Sequence, residues 1–184
     1  RLVEATRSLE VGPADNPGFG VGPVVDEDAY QRLMGVIESP GPGVSVLYRG
    51  NARPGGYYVP PTILRSDDDK SRVMQEEFFG PVLAVCAVPT FSRAVDVATG
   101  TEFALTGAVF SRSPAHLEEA RRRFRVGNLY LNRGSTGALV HRQPFGGFQM
   151  SGIGTKAGGP GYLLGFPDPS LVTENSKRRG FTPA

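Results

Sequence analysis

The feature that most constrains the fold is a regular alternation of strand and helix patterns between residues 82 and 131. Val82–Val88 is almost continuously apolar, which is typical of a strand that is covered on both faces. A helical pattern follows it, with Ala94, Val95 and Ala98 expected on the inner side. Because a strand–helix–strand repeat of this spacing connects parallel strands, the pattern predicts an α/β fold with a doubly covered parallel sheet.

The second half of the repeat contains two more strands and the helix between them. Gly107–Phe110 and Val126–Leu131 are the strands, and the helix begins with Ser113 as its N-cap and Pro114 in its first turn. Four further elements are predicted ahead of the repeat: the end of an amphipathic helix over 2–9, a helix capped by Asp26 with Ala29, Leu33 and Val36 inward, and strands at Val44–Tyr48 and Thr62–Leu64.

Size and charge limit the class of protein. The chain has 184 residues, enough for one domain with a sizeable core, and its formal net charge of +2 gives no argument for a nucleic-acid partner. Its apolar stretches are too short for a transmembrane helix, and its first residues do not resemble a signal peptide. The single cysteine excludes an internal disulfide and favours a cytoplasmic location. Because the chain has no initiator methionine, we expect it to be part of a longer protein.

Residues 132–161 form a glycine-rich stretch without helical or strand periodicity. An irregular segment of this length is uncommon in a compact domain unless it binds something. A glycine-rich turn without bulky side chains exposes consecutive N–H donors, which form a concavity suited to an anion. This segment is therefore the first candidate for a binding loop. Beyond it, Leu171–Asn175 is expected to form one more strand, followed by an exposed basic cluster at Lys177–Arg179.

The cysteine, the histidines and the charged runs of this chain are better interpreted as structural or solvated residues than as catalytic or ligand-binding ones. Cys86 lies within the apolar run, so we interpret it as a buried structural cysteine and not as a nucleophile. His116 and His141 are far apart and, with one cysteine, match no usual spacing of metal ligands. Asp67–Lys70 is interpreted as a solvated turn, and Arg121–Arg125 as a solvated helix end rather than an RNA-binding stripe.

Two stretches match the pattern of a known family. They are Glu76–Val82, with the sequence EEFFGPV, and Asn132–Gly152, which is followed by Lys156–Pro160. Both resemble the aldehyde dehydrogenase superfamily, and the longer one is similar to its glutamate semialdehyde (pyrroline-5-carboxylate) dehydrogenase branch. Supporting pieces occur in the family's order, at Gly22–Val24, Leu105–Arg112 and Val172–Asn175. The resemblance extends over essentially the whole chain.

The resemblance implies an enzyme in which a thiolate attacks an aldehyde, hydride passes to NAD, and water hydrolyses the thioester. It implies the three-layer, parallel-sheet catalytic domain of that family. It also places the nucleophilic cysteine, the general-base glutamate and the NAD-binding domain ahead of Arg1, and Cys86 does not inherit the role of the nucleophile. No catalytic residue is therefore expected in this chain, and the 184 residues alone are expected to be inactive.

Five residues match binding positions of the family. Glu77 corresponds to the glutamate whose carboxylate accepts hydrogen bonds from the nicotinamide ribose, and Phe79 to the aromatic residue beside the nicotinamide. Gly137 and Ala138 correspond to the loop whose N–H groups hold the α-carboxylate of the substrate. Phe145 corresponds to the apolar wall of that site.

Glu77 and the glycine pair at 146–147 can also be explained by structural roles that need no ligand. Glu77 by itself would be interpreted as a carboxylate in a salt bridge at the end of a helix or strand. Gly146–Gly147 is expected to mark close packing of two backbones, in the family as well as outside it. Four departures from the family pattern lie away from the matched contacts, at Gly100, His141, Gln149 and Gly161.

The implied function is the oxidation of L-glutamate 5-semialdehyde to L-glutamate in proline breakdown, by an enzyme that stands alone or is joined to proline dehydrogenase. Residues 1–166 are expected to belong to the catalytic domain, with 132–161 as the substrate loop. Residues 167–184 are expected to form an oligomerisation strand and tail, which predicts a homo-oligomer. Two alternatives stay open: a dehydrogenase for another aldehyde, and a non-catalytic assembly module whose terminal strand pairs with a sister subunit.

Overall fold

Residues 1–175 are described by the structure, a computed structural model, and they divide into two units. Unit 1 comprises Arg1–Glu102 and Ser113–Phe124, and unit 2 comprises Phe103–Arg112 and the residues from Arg125 onward. The basic cluster predicted at Lys177–Arg179 lies outside the described residues. Among the helices described, none combines the length and the apolar character needed to cross a membrane.

Unit 1 contains a three-stranded sheet and its helices. Its elements in chain order are α1 (Leu2–Arg7), α2 (Glu27–Glu38), β1 (Val44–Arg49), β2 (Thr62–Ser66), α3 (Arg72–Gln75), β3 (Val82–Val85), α4 (Phe91–Thr99) and α5 (Pro114–Arg123). The strand order is β1-β2-β3, with β1 antiparallel and β3 parallel to β2. The helices and strands predicted for this unit are therefore present, although several of their ends differ by a few residues.

Side-chain caps explain where two of these helices begin. The Asp26 carboxylate accepts a hydrogen bond from the N–H of Ala29 at 2.8 Å, at the start of α2. The Ser113 hydroxyl accepts one from the N–H of His116, and Pro114 lies in the first turn of α5. Each bond satisfies an N–H group that has no partner inside its helix. Both caps predicted from the sequence are confirmed.

The core of unit 1 joins α2 to the sheet. It consists of two clusters of buried side chains: Leu33, Ile37 and Val59 in one, and Val36, Leu64 and Val73 in the other. Phe78 and Val82 pack against both clusters. Each square ångström of apolar surface that is buried contributes about 25 cal/mol to the free energy of folding. This packing therefore holds α2 against the sheet, through the helix face that its periodicity predicted.

The apolar run Val82–Val88 is not covered on both faces, so that part of the prediction is wrong. β3 ends at Val85, and Cys86 follows the strand with its side chain only partly buried. Leu83 keeps 48% of its surface exposed. The physical reason is that successive side chains of a strand point to opposite faces: Val82 and Ala84 pack on the core, and Leu83 lies on the other face, which the described residues leave partly uncovered.

α4 buries a different face from the one predicted. Val95 is buried as expected, but Val97 is buried and Ala98 is exposed. Arg123 of α5 bonds to Ser92 and Asp96 of α4, which is consistent with this rotation of α4. The larger Val97 also gains more from burial than Ala98 would.

Unit 2 contains two pairs of strands: β4 (Phe103–Ala104) with β7 (Phe148–Gln149), and β5 (Thr106–Val109) with β6 (Asn128–Leu131). β5 and β6 are parallel, as predicted, and a 3-10 turn follows at Tyr162–Gly165. The α/β class is confirmed, but the single sheet expected from the repeat does not form within residues 1–175. After β3 the next strand is β4, which pairs antiparallel with β7 and so interrupts the series.

The strand predicted at Leu171–Asn175 is absent from the described chain. The segment has no regular structure, and Leu171 and Val172 are 91% and 86% exposed. A strand exists only as part of a hydrogen-bonded ladder, and none of the sheets in residues 1–175 includes this segment. Its use in oligomerisation, and the domain boundary at 166, stay predictions.

Candidate functional site

The first candidate is the turn Glu76–Gly80 between α3 and β3 in unit 1, here called the acidic turn. Phe78 points into the core, where it packs against both clusters. The residues on either side of it point outward: Glu77 is exposed, and Phe79 is 79% exposed. The fold therefore presents both predicted cofactor residues on the surface of the turn.

The carboxylate of Glu77 makes no hydrogen bond or ion pair with any residue that the structure describes. The salt bridge considered for it belongs instead to Glu76, whose Oε2 lies 2.7 Å from Nε of Arg72. Both oxygens of Glu77 are consequently available to accept hydrogen bonds from hydroxyl groups of a ligand.

Phe79 has a left-handed backbone conformation, with φ at +51°. Such a conformation is rare for a bulky side chain, and it persists only where the surroundings determine it. One hydrogen bond fixes the peptide group ahead of Phe79: Nη1 of Arg32 donates to the carbonyl of Phe78 at 2.7 Å. A second bond, from the N–H of Val82 to the carbonyl of Gly80 at 2.8 Å, fixes the peptide group that follows Gly80. The exposed ring of Phe79 is thus carried by a well-defined backbone.

The second candidate is a cleft of about 500 Å³ in unit 2, here called the loop cleft. Its lining is mostly apolar and consists of Leu105, Thr106, Ser135, Thr136, Gly137, Ala138 and Phe145. All three predicted substrate residues are therefore brought together in one cleft. Residues as distant in sequence as Leu105 and Phe145 meet there because β5 and the glycine-rich loop follow neighbouring paths.

The backbone of the loop cleft presents unused hydrogen-bond donors. The N–H groups of Gly137 and Ala138 donate to no group within residues 1–175. Gly137 has φ at +79°, a conformation that glycine adopts without strain. Two successive free N–H groups beside an apolar wall can bind a carboxylate through the donors and its carbon chain through the wall.

Side chains near the start of the loop hold it in this shape. The amide of Asn132 bonds to both backbone groups of Ser111, at 2.8 Å to the N–H and 3.1 Å to the carbonyl. The guanidinium of Arg133 donates to the carbonyl of Thr136 and lies 5.0 Å from the ring centroid of Tyr130. These contacts fasten the residues just ahead of Gly137 to the end of β6.

The predicted close packing at Gly146–Gly147 is confirmed. A Cβ atom at Gly147 would lie 2.5 Å from both Cβ and the carbonyl oxygen of Ser151. The carbonyl of Gly146 lies directly against Gly127, where a side chain would not fit. Phe145 is anchored next to this contact by two backbone hydrogen bonds of 2.9 Å with Ala157. The close approach places Phe145 in the wall of the loop cleft.

A second cleft of unit 2, of about 470 Å³, was not predicted from the sequence. Its cations are engaged in contacts within the unit: Nζ of Lys156 donates to the carbonyl of Gly127, and Arg133 donates to Thr136. Tyr130 is 95% buried, and its hydroxyl has no partner among the described residues. From the sequence alone, Tyr130 in a predicted strand is interpreted as a core residue. No local pattern therefore predicts this cleft.

The other candidate residues of the sequence belong to neither site. Within residues 1–175 the thiol of Cys86 makes one weak hydrogen bond of 3.9 Å, to the carbonyl of Ala87. The ring of His116 stacks on Phe91 with centroids 4.3 Å apart. His141 has a left-handed backbone and donates its N–H to Gly158. In the part of the chain that is described, no group of three or more potential metal ligands comes together.

Comparison with known proteins gives one family. The model of the aldehyde dehydrogenase family matches residues 1–167. The 1-pyrroline-5-carboxylate dehydrogenase of Geobacillus sp. (strain WCH70) is 47% identical over 176 residues, which are 95% of this chain and 34% of that protein. The enzyme of the same name from Bacillus subtilis (strain 168) is 46% identical over 165 residues, 89% of this chain and 32% of that protein. The chain thus spans about a third of the length of the curated relatives it matches.

Solved structures agree with this result. Proline utilization A (PutA) from Bdellovibrio bacteriovorus, inactivated by N-propargylglycine, superposes with a TM-score of 0.89 at 50% identity, covering 100% of this chain and 19% of that one. The 1-pyrroline-5-carboxylate dehydrogenase from Thermus with bound NAD superposes with a TM-score of 0.84 at 44% identity, covering 89% and 32%. Sequence and fold therefore lead to the same conclusion, which confirms the resemblance: this chain belongs to the aldehyde dehydrogenase family.

Proposed function

We propose that this chain forms part of an NAD-dependent dehydrogenase that oxidises L-glutamate 5-semialdehyde to L-glutamate, a step of proline breakdown. The observation that carries the proposal is the loop cleft, where two adjacent free N–H donors border an apolar wall. The substrate combines an α-carboxylate with a short aliphatic chain that ends in the aldehyde. The names of the relatives that are 46% and 47% identical support the same substrate.

In this proposal the loop cleft binds the end of the substrate that does not react. Gly137 and Ala138 donate their N–H groups to the α-carboxylate, and Phe145 contacts the methylene groups. The cleft volume of about 500 Å³ leaves room for a five-carbon amino acid. Holding the far end of the substrate in this way positions the aldehyde for reaction, and such positioning is a main source of catalytic rate.

The residues of the acidic turn fit NAD. Glu77 offers an unpaired carboxylate to the hydroxyl groups of the nicotinamide ribose, and Phe79 offers an exposed ring that can pack beside the nicotinamide. NAD supplies the hydride acceptor of the reaction when it is bound. The bound NAD in the structure of the Thermus relative supports this assignment.

We assign the nucleophilic cysteine and the general base to the part of the enzyme that this chain does not span. Cys86 is partly exposed, and its one contact in the described chain is to a backbone carbonyl. A catalytic thiol needs a neighbouring base or cation to form the thiolate, and Cys86 has none among its hydrogen-bond partners. The proposal therefore leaves Cys86 without a chemical role.

We also propose a cytoplasmic homo-oligomer whose substrate comes from a proline dehydrogenase activity, on the same polypeptide or on a separate one. The 50% identity to PutA from Bdellovibrio bacteriovorus supports the arrangement on one polypeptide, since another relative of that name is described as bifunctional. The curated relatives from Geobacillus and Bacillus are about three times as long as this segment. They give equal support to a proline dehydrogenase on a separate polypeptide.

The test compares two aldehydes on the complete enzyme. One is glutamate semialdehyde, and the other is butanal, which has a similar chain but no carboxylate. Loss of one or two charge-assisted hydrogen bonds costs about 2–5 kcal/mol, so kcat/KM should favour glutamate semialdehyde by roughly 30-fold to several thousandfold. Equal kcat/KM values would reject this substrate and favour a dehydrogenase for another aldehyde. A complete enzyme inactive on every aldehyde would instead favour an assembly module.

A further inference from the structure

Two consecutive residues of α2, Arg32 and Leu33, lie against the acidic turn. Arg32 reaches the turn across the surface, and Leu33 supports it from the core. Phe78 of the turn follows Arg32 by 46 residues, so this contact is formed by the fold and not by local sequence. It concerns the same segment that presents Glu77 and Phe79.

The contact made by Arg32 is a charge-assisted hydrogen bond. Its Nη1 donates to the carbonyl oxygen of Phe78 at 2.7 Å, a short distance for such a bond. This carbonyl belongs to the peptide group that joins Phe78 to Phe79. A planar peptide group rotates as one body, so fixing its oxygen also fixes its nitrogen, about which φ of Phe79 is defined. The bond from Arg32 therefore fixes the peptide plane from which the left-handed φ of +51° at Phe79 is measured.

The contact made by Leu33 leaves the turn no space to move inward. A Cβ atom built on Gly80 would collide with the side chain of Leu33. Leu33 is fully buried in the core cluster with Ile37 and Val59, so its side chain cannot swing away. The turn therefore rests on α2 at Gly80 and is tied to it at Phe78.

We propose that Arg32 is a positioning residue for NAD. By holding the carbonyl of Phe78, it orients the two neighbouring side chains, Glu77 and Phe79, for the nicotinamide end of the cofactor. This inference rests on the proposed function, in which those two residues bind NAD. Arg72 is not an equivalent support, because it bonds to Glu76 and lies over the ring of Phe78 without contacting the peptide group.

The experiment measures NAD binding to the complete enzyme by titration calorimetry, without aldehyde, together with KM for NAD and for the aldehyde. Arg32→Met keeps the aliphatic stem and removes the donors, and Arg32→Lys keeps a long side chain with a charged donor group. The control is Arg49→Met, since Arg49 also contacts α2, through its C-terminal residue Glu38, and has no hydrogen bond or ion pair to the acidic turn among the described residues. Arg32 is exposed, so the variants should fold, and thermal unfolding of each one tests this.

We expect Arg32→Met to raise Kd and KM for NAD by about three- to tenfold, with KM for the aldehyde changed by less than about twofold. Arg32→Lys should restore most of the affinity, and Arg49→Met should bind NAD like the unmodified enzyme. In the Glu77→Gln background, Arg32→Met should have a smaller effect, because part of it acts through the carboxylate that is already lost. Arg32→Gln, which is too short to reach the carbonyl, should behave like Arg32→Met and is measured in the same way.

Three results would overturn the inference: an unchanged Kd in Arg32→Met and Arg32→Gln, an equal loss in Arg49→Met, or an undiminished effect in the Glu77→Gln background. Each of these requires that the unmodified enzyme binds NAD, so the proposed function survives them. An unmodified enzyme that does not bind NAD would overturn both the inference and the proposed function.

Discussion

Neighbouring carboxylates of the acidic turn have different environments. Glu76 is paired with Arg72 at 2.7 Å, whereas Glu77 has no ion pair in residues 1–175 and is exposed. An exposed salt bridge contributes only about 0–1 kcal/mol, so Glu76 can be neutralised at little cost to stability. The two residues therefore form a matched pair for separating a general effect of charge from a contact with the cofactor.

Glu77→Gln in the complete enzyme should keep the fold and slow hydride transfer by about ten- to a hundredfold. The reason is that a hydrogen bond to a charged group contributes roughly 1.5–3 kcal/mol, and the amide keeps the shape without the charge. Single-turnover formation of NADH measures the step, and Glu76→Gln is the control that should leave it unchanged. Unchanged hydride transfer and NAD affinity in Glu77→Gln would refute the assigned role.

Two glycines of the loop differ in the space that they leave for a side chain. Gly134 and Gly147 both lie in the glycine-rich segment, and neither has a positive φ. A Cβ atom at Gly134 would meet nothing within 4 Å, whereas one at Gly147 would lie 2.5 Å from Ser151. Glycine is therefore required for packing at one position and not at the other.

Gly147→Ala should lower the free energy of unfolding of the 184-residue chain by about 1–3 kcal/mol, because the added methyl group overpacks the contact with Ser151. Gly134→Ala should change it by less than about 0.5 kcal/mol or raise it slightly, since alanine restricts the unfolded chain. Urea unfolding of both variants gives the two values. Equal destabilisation by the two substitutions would show that packing at Gly147 is not the cause.

At the scale of elements, the sequence predicted what depends on local chemistry. The caps Asp26 and Ser113 and the inner face of α2 were predicted, because capping and helical periodicity involve residues three or four positions apart. The parallel pair β5–β6 followed from the spacing of the repeat, whereas the parallel pairing of β2 with β3 was not predicted. These elements place both the acidic turn and the start of the loop cleft.

The errors concern elements whose environment is decided by distant residues. The exposure of Leu83 depends on what covers the second face of β3, which no local pattern encodes. Burial of Val97 instead of Ala98 accompanies the contacts of Arg123 with α4. The left-handed Phe79 and its bond to Arg32 were also not foreseen, because they depend on a contact between residues 46 positions apart. The binding residues themselves were identified by family resemblance, and their roles stay predictions.

At the scale of the whole molecule, the two candidate sites belong to separate units. Glu77 and Phe79 lie in unit 1, and Gly137, Ala138 and Phe145 lie in unit 2. The chain corresponds to about a third of the length of its curated relatives. On our account it contributes binding groups for cofactor and substrate, and the nucleophile is supplied elsewhere in the enzyme.

The 184-residue chain alone should therefore show no dehydrogenase activity. The expected result is no NADH formation from NAD and glutamate semialdehyde, because the chain holds no activated thiol. The measurement is absorbance of NADH at high protein concentration, with Cys86→Ala as the matched variant. Activity that disappears in Cys86→Ala would make Cys86 the nucleophile and contradict this account.

The central claim is that the loop cleft recognises the carboxylate of the substrate through backbone N–H groups. The most direct test is the ratio of kcat/KM for glutamate semialdehyde to that for butanal, measured in the complete enzyme with Ala138→Pro and Ala138→Ser. Proline removes the N–H of residue 138 and serine keeps it. Loss of one charge-assisted bond predicts a fall of the ratio by about ten- to a hundredfold in Ala138→Pro, with butanal oxidation spared and the ratio unchanged in Ala138→Ser. An equal loss of both aldehydes in Ala138→Pro, or an unchanged ratio, would contradict the claim.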